Sequence, residues 1–122
     1  MCMAGIYARE EYSRMIADVK KSDFSRMDVV HHILSGFKSV FTAQGCLDVE
    51  EARRMCGGAG YQSNAGFTQL FAHVSPMPTY EGDNVVMMGQ ASRYLMKMIK
   101  KVSNGKKLAF PFTYLNAMQE TL

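Results

Sequence analysis

At 122 residues the chain is at most one ordinary domain, and its 48% hydrophobic content is enough to bury a core, which excludes a disordered segment. A net charge of +3 is too small to argue for a nucleic-acid partner, and no run of about 18 apolar residues reads as a membrane span. Cys2, Cys46 and Cys56 form an odd set without metal-ligand spacing, which points to free thiols in a reducing compartment, and residues 1–6 are too short for a secretory signal.

In chain order, residues 3–20 are expected to be helical, with Met3, Ile6, Tyr7, Met15, Ile16 and Val19 on one face and the pairs Glu10/Arg14 and Arg14/Asp18 on the other. Lys20 to Asp23 is a polar break. Ser25 with Asp28 resembles a capping box, after which Val30, Ile33, Leu34, Phe37, Val40, Phe41 and Gln44 repeat at helical spacing. Gly45 is expected to weaken or end that helix, and Asp48 with Glu51 to cap another over 48–56. His31 and His32 point about 100° apart on a helix and have no ligand partner three or four residues away, so they read as a helix-surface pair; His73 is likewise alone, and no metal site is expected.

Gly57-Gly58-Ala59-Gly60 would need glycine at position 63 to complete a dinucleotide fingerprint, and Ser63 stands there. It also follows a helix instead of a strand, so it reads as a glycine-rich helix end. Residues 61–66 are expected to be loop and 67–74 a short helix with Phe67, Leu70, Phe71 and Val74 inward. Pro76 and Pro78 rule out helix interior and predict a stiff, extended approach to Glu81. The periodicity then predicts a helix over 83–102, with Val85, Met88, Ser92, Leu95, Met96, Ile99 and Val102 on one face. Arg93, Lys97, Lys100 and Lys101 lie on the other, and Asn104-Gly105 stops it. The tail carries an apolar patch of Leu108, Phe110, Phe112, Tyr114 and Leu115 before a short polar end.

Glu81 is the only carboxylate from Gln69 to Gly82, between Tyr80 and Gly82 and just ahead of a helix. Two readings are open. It is a helix-start acid, favoured by the partial positive charge of the first amides, or a desolvated carboxylate raised toward the range where it works as a general base.

Two stretches together bear on that choice. Cys56-Gly57-Gly58-Ala59-Gly60-Tyr61 and, further along, Thr79-Tyr80-Glu81-Gly82-Asp83-Asn84 resemble the acyl-CoA dehydrogenase and oxidase superfamily, the peroxisomal acyl-CoA oxidases in particular. Asp23-Phe24, Gly36-Phe37-Lys38, Glu50-Glu51, Ser92 to Lys97, Ser103 to Lys106 and Tyr114-Leu115-Asn116 extend the likeness over most of the chain. Ala59 departs from it, since those oxidases usually carry His there.

The resemblance implies an all-α chain, residues 1–122 forming part of the C-terminal helical bundle, in an FAD-dependent enzyme that converts fatty acyl-CoA to trans-2-enoyl-CoA and reduces oxygen to hydrogen peroxide. It implies Glu81 as the base that removes the α-proton, with its own N–H donating to the developing enolate. Arg54, Gly57, Gly58, Asp83 and Asn84 are then cofactor contacts, and Tyr80, Gly82 and Arg93 substrate contacts. It also implies a peroxisomal location, a homodimer or a partner chain supplying the missing domains, and contact between the helical domain and a neighbouring subunit's cofactor. The chain ends Glu120-Thr121-Leu122 and so lacks the Ser-Lys-Leu address. Met1 falls inside a helix of that family, which reads as a fragment, a truncated gene model or one piece of a split subunit. Two other readings stay open: a non-catalytic helical interaction module, and a dehydrogenase passing electrons to a flavoprotein.

Overall fold

The computed structural model describes residues 3–120, with no side-chain detail for 118–120; Cys2 and the last two residues lie outside the described part. Four helices carry the fold: α1 (Met3–Val19), α2 (Met27–Met55), α3 (Phe67–Val74) and α4 (Asn84–Ser103). Short 3-10 segments at Gly57–Tyr61 and Ser63–Ala65 take up much of the stretch that the sequence predicts as loop over 61–66, and a third spans Thr113–Glu120. There is no strand among the described residues.

The 29-residue α2 is the spine. It runs unbroken through Gly45, Asp48 and Glu51, so the expected break and second cap are corrected. A mid-helix glycine costs about 1 kcal/mol, which packing against the other three helices outweighs. The expected Ser25/Asp28 box is also corrected: Arg26 occupies the N-cap with no side-chain bond to the helix amides, and Asp23 instead accepts from the Ser25 N–H at 2.9 Å.

On α1, Ala8 and Glu11 are the buried residues; Ile6, Tyr7, Met15 and Val19 are half-buried as expected, while Met3 and Ile16 are exposed, which corrects the expected face at those two positions. A buried carboxylate needs compensation. Arg14 donates to Glu11 at 2.6 Å and Arg26 at 3.1 Å, and Arg26 also binds Asp18 at 2.8 Å. Glu10 pairs with Arg14 as expected, at a loose 3.8 Å, whereas Asp18 turns to Arg26 ahead of α2.

The α4 face is corrected in part: Leu95, Ile99 and Val102 pack inward as expected, but the first turns do not. Ala91, Met98 and Val102 are buried, whereas Val85 is 81% exposed and Met88 and Met96 are also exposed. This helix bears two apolar stripes one residue apart around its axis, about 100°. The inner stripe is built partly of Ala91 and Tyr94, which weigh less in a hydrophobic count. Leu70 and Phe71 of α3, expected inward, are exposed as well. The basic face of Arg93, Lys97, Lys100 and Lys101 is solvated as read. The stop at Asn104-Gly105 also agrees: the Gly105 N–H reaches Val102 O at 2.9 Å and the Lys106 N–H reaches Lys101 O at 3.0 Å, closing the helix end.

The tail returns over α4. Phe112 and Leu115 join Met98 and Val102 in the main apolar cluster, and Asn116 closes the turn by bonding both the N–H and the carbonyl of Leu108 at 2.9 Å. His31 is exposed. His32 instead bridges two helices: its Nδ1 lies 3.0 Å from Ala91 O, and its ring stacks on Tyr94 at 5.0 Å. Burial pushes the His32 pKa below its ordinary value and the His31 charge adds to this, against the opposing pull of the Ala91 carbonyl. A depressed pKa means the folded state favours neutral imidazole. The stability it contributes is therefore present above the unfolded value of about 6.5 and lost as pH falls below it. Thermal melts are expected to drop between about pH 7 and pH 5.5, and His32→Gln to flatten that fall; an unchanged slope in the variant would show the bridge does not titrate.

Candidate functional site

The approach to Glu81 is a chain of turns, which corrects the expected extended segment. The Met77 N–H reaches Val74 O at 3.0 Å, and the Thr79 and Tyr80 N–H groups both reach Pro76 O, at 2.9 and 3.2 Å. The prolines still dictate this shape, because neither can donate within a helix. Two left-handed residues follow, Glu81 at φ +55° and Gly82 at φ +99°. Glycine occupies that region freely, but a glutamate there is strained by roughly 1–3 kcal/mol and is held by its surroundings. The corner leaves the Glu81 side chain exposed, and the amides of Glu81 and Gly82 have no acceptor among the described residues. Tyr80 is exposed beside it.

The desolvation expected of Glu81 is therefore not supplied by this chain, a correction to the sequence reading. The helix-start reading also weakens. Asp83 is the N-cap of α4, accepting from the Val85 N–H at 2.8 Å, so the capping work is already done two residues later.

What fixes the corner is α2. Asn84 donates to Ser39 O at 3.0 Å and to Thr42 Oγ1 at 2.9 Å, while its own Oδ1 accepts from Lys38 at 2.8 Å. The Asn84 N–H closes back onto Pro78 O at 2.9 Å. Both amide protons of the Asn84 side chain are thus committed to α2, so its side chain positions the loop and is not free to meet a ligand. Ser35 and Ser39 are buried here, and their small size lets the start of α4 approach. Hydrophobic periodicity gives no sign of this contact, and the sequence does not mark Lys38 as a site residue. The only available signal is its place in the Gly36-Phe37-Lys38 match.

The glycine turn lies at the far end of α2. Gly57, at φ +57°, ends the helix in the left-handed position, as expected. Gly60 is required by space: a Cβ there would collide with Arg53 O. Gly58 has neither reason, for its φ is not positive and a Cβ would meet nothing within 4 Å. Arg54 is exposed and donates to Glu50 at 2.9 Å, and Arg53 grips the same carboxylate at 2.7 and 2.8 Å. The two arginines hold Glu50 down at about 2. Arg54 and Lys38 are 16 residues apart on one helix (54 minus 38), which is about 24 Å at about 1.5 Å per residue. The glycine turn and the Glu81 corner therefore do not converge within the chain. Arg93 stands apart from both, further along α4 from Asn84. It borders a groove of about 420 Å³ with His31, Gln90 and Lys97. No cluster of three or more metal-ligating side chains occurs among the described residues.

Comparison with known proteins gives this geometry a context. The profile of the acyl-CoA oxidase C-alpha1 domain matches residues 1–96. The chain belongs to the acyl-CoA oxidase family. It is similar to peroxisomal acyl-coenzyme A oxidase 1 of Mus musculus, 35% identical over 112 residues, which is 92% of this chain and 17% of the mouse enzyme. Among solved structures it is similar to Arabidopsis thaliana acyl-CoA oxidase 1, with a TM-score of 0.88 at 34% identity over 94% of this chain and 18% of that one. It is also similar to acyl-CoA oxidase-1 of Caenorhabditis elegans complexed with FAD and ATP, with a TM-score of 0.84 at 34% identity over 90% of this chain and 17% of that one. The all-α fold agrees with these oxidases. The chain spans about a sixth of the length of the relatives it matches.

The backbone of the glycine turn is open to approach. Gly57 and Gly58 are exposed, and the open space where a Gly58 side chain would stand lets a ligand approach the backbone, which no internal packing explains.

Proposed function

We propose that this chain is the part of an FAD-dependent acyl-CoA oxidase that carries the catalytic base, Glu81, acting on a fatty acyl-CoA. The observation that supports it most is the Glu81 corner: an exposed carboxylate on a strained left-handed residue, beside amides with no acceptor among the described residues. An α-proton of a thioester is weakly acidic, so its removal needs a positioned base and donors for the developing enolate oxygen. Glu81 is the base, and its own N–H is a donor suitably placed in sequence. Tyr80 and Gly82 border the acyl chain, and Arg93 serves the distant phosphates of coenzyme A. Arg54, Gly57 and Gly58 hold part of an FAD, while Asp83 and Asn84 shape the helix start beside another. A bound FAD would supply the acceptor for the β-hydrogen, leaving as hydride, and the route by which its two electrons reach oxygen to give hydrogen peroxide. The separation of the glycine turn from the Glu81 corner along α2 supports a dimer, or a partner chain, in which the turn serves a neighbour's cofactor. The location that goes with this reading is the peroxisome.

A second reading is favoured by the exposed apolar stripe of Val85, Met88 and Met96: a non-catalytic helical module derived from the oxidase. Grafting residues 1–122 in place of the matching segment of the mouse enzyme separates the two. The chimera is expected to form enoyl-CoA and hydrogen peroxide in equal amounts from an acyl-CoA. A folded, flavin-loaded chimera that forms neither would leave the module reading standing.

A further inference from the structure

The Lys38 ammonium sits in a cage of three oxygens, 2.5 Å from Gly82 O, 2.8 Å from Asn84 Oδ1 and 3.2 Å from Pro78 O. Each of its three N–H donors has an acceptor, and Lys38 is in no ion pair among the described residues. The three acceptors straddle Glu81 in sequence, one before it and two after. No other side chain in the described part bonds both flanks of the corner; Ser39 and Thr42 reach only Asn84. A backbone held at φ +55° by a glutamate reverts to a commoner conformation unless it is tied on both sides. Within the loop the Asn84 N–H closes onto Pro78 O, and the side-chain tie across both flanks comes from a different helix, far earlier in the chain.

We propose that Lys38 is a positioning residue for Glu81: its ammonium staples the 78–84 loop to α2 and so holds the left-handed corner that presents the carboxylate. The inference rests on the reading of Glu81 as base, but its first test does not. In the 122-residue chain, Lys38→Met is expected to speed hydrogen exchange of the Asn84 N–H, bonded to Pro78 O, by about tenfold or more, while amides in α1 keep their rates. In the mouse-enzyme chimera, the same change is expected to lower the rate of flavin reduction by about 10- to 100-fold, a larger factor than the rise in acyl-CoA KM, because the base is displaced together with its loop neighbours Tyr80 and Gly82 while the Arg93 contact to coenzyme A remains. Chemical rescue supplies the control. Lys38→Cys treated with bromoethylamine carries aminoethylcysteine, a near-isostere of lysine, and is expected to recover both readouts relative to the parent treated alike. Unchanged Asn84 exchange, unchanged flavin reduction, or failure of the rescued ammonium to restore either would each overturn the proposal. Failure of the Glu81 reading shows elsewhere, as normal turnover in a Glu81 variant whatever the state of Lys38.

Discussion

Replacing Glu81 by Gln in the chimera is expected to leave FAD and acyl-CoA binding near the parent's and to lower flavin reduction by about 10²–10⁴-fold. Gln keeps the size of Glu and can sit on the same corner, but it cannot take up the α-proton. Its effect on the fold is small, because the Glu81 side chain is exposed and the cap of α4 belongs to Asp83. Were Glu81 only an acid near a helix start, the change would cost at most about 1 kcal/mol of stability and leave turnover intact. Stopped-flow reduction of the bound flavin distinguishes a folded, loaded, inactive protein from a slightly softened active one. Near-normal reduction would remove Glu81 from the mechanism.

A large effect of another kind is expected from Phe112→Ala. Phe112 is 7% exposed, sits in the main cluster with Met98, Val102 and Leu115, and packs on His32 and Tyr94 at ring distances of 5.5 and 5.6 Å. Truncating a buried Phe costs about 3–5 kcal/mol, against a total of about 5–15 kcal/mol for a typical domain. Phe110, two positions earlier, is 72% exposed and meets only the Tyr7 ring edge-on at 5.7 Å among the described aromatic contacts. Its truncation should cost about 1 kcal/mol. Urea unfolding of the two variants measures the contrast. Equal losses would mean the tail does not dock through Phe112.

These two residues show what the sequence could and could not reveal. Phe110 and Phe112 belong to one apolar patch in the text, and only the packing of the tail on α4 separates them. The glycine turn, the α4 stop and the short α3 were legible, since each is set by residues within a few positions of it. The unbroken α2 was not, because the local cost of Gly45 is smaller than the packing it gains from distant helices. The inward face of α4 was legible at Leu95, Ile99 and Val102 but not at its start, because a small residue such as Ala91 marks close approach without adding hydrophobic weight. At the site, Glu81, Gly82 and Asp83 stand in one readable phrase. Lys38 lies far along the sequence from the loop it bonds, and nothing in its own surroundings names its acceptors.

The continuity of α2 has a consequence for how such chains can change over time. Its two ends are joined by hydrogen-bonded turns with no joint between them, so it works as a rigid ruler with a phase. One residue inserted between Lys38 and Arg54 would turn one end against the other by about 100° and lengthen the span by about 1.5 Å. Seven would nearly restore the phase, yet separate the ends by about 10 Å more. Neither error is recoverable by local adjustment. Length variation in this part of the chain should therefore be confined to the segments outside the helix, such as the polar link from Lys20 to Asp23, where added residues turn nothing.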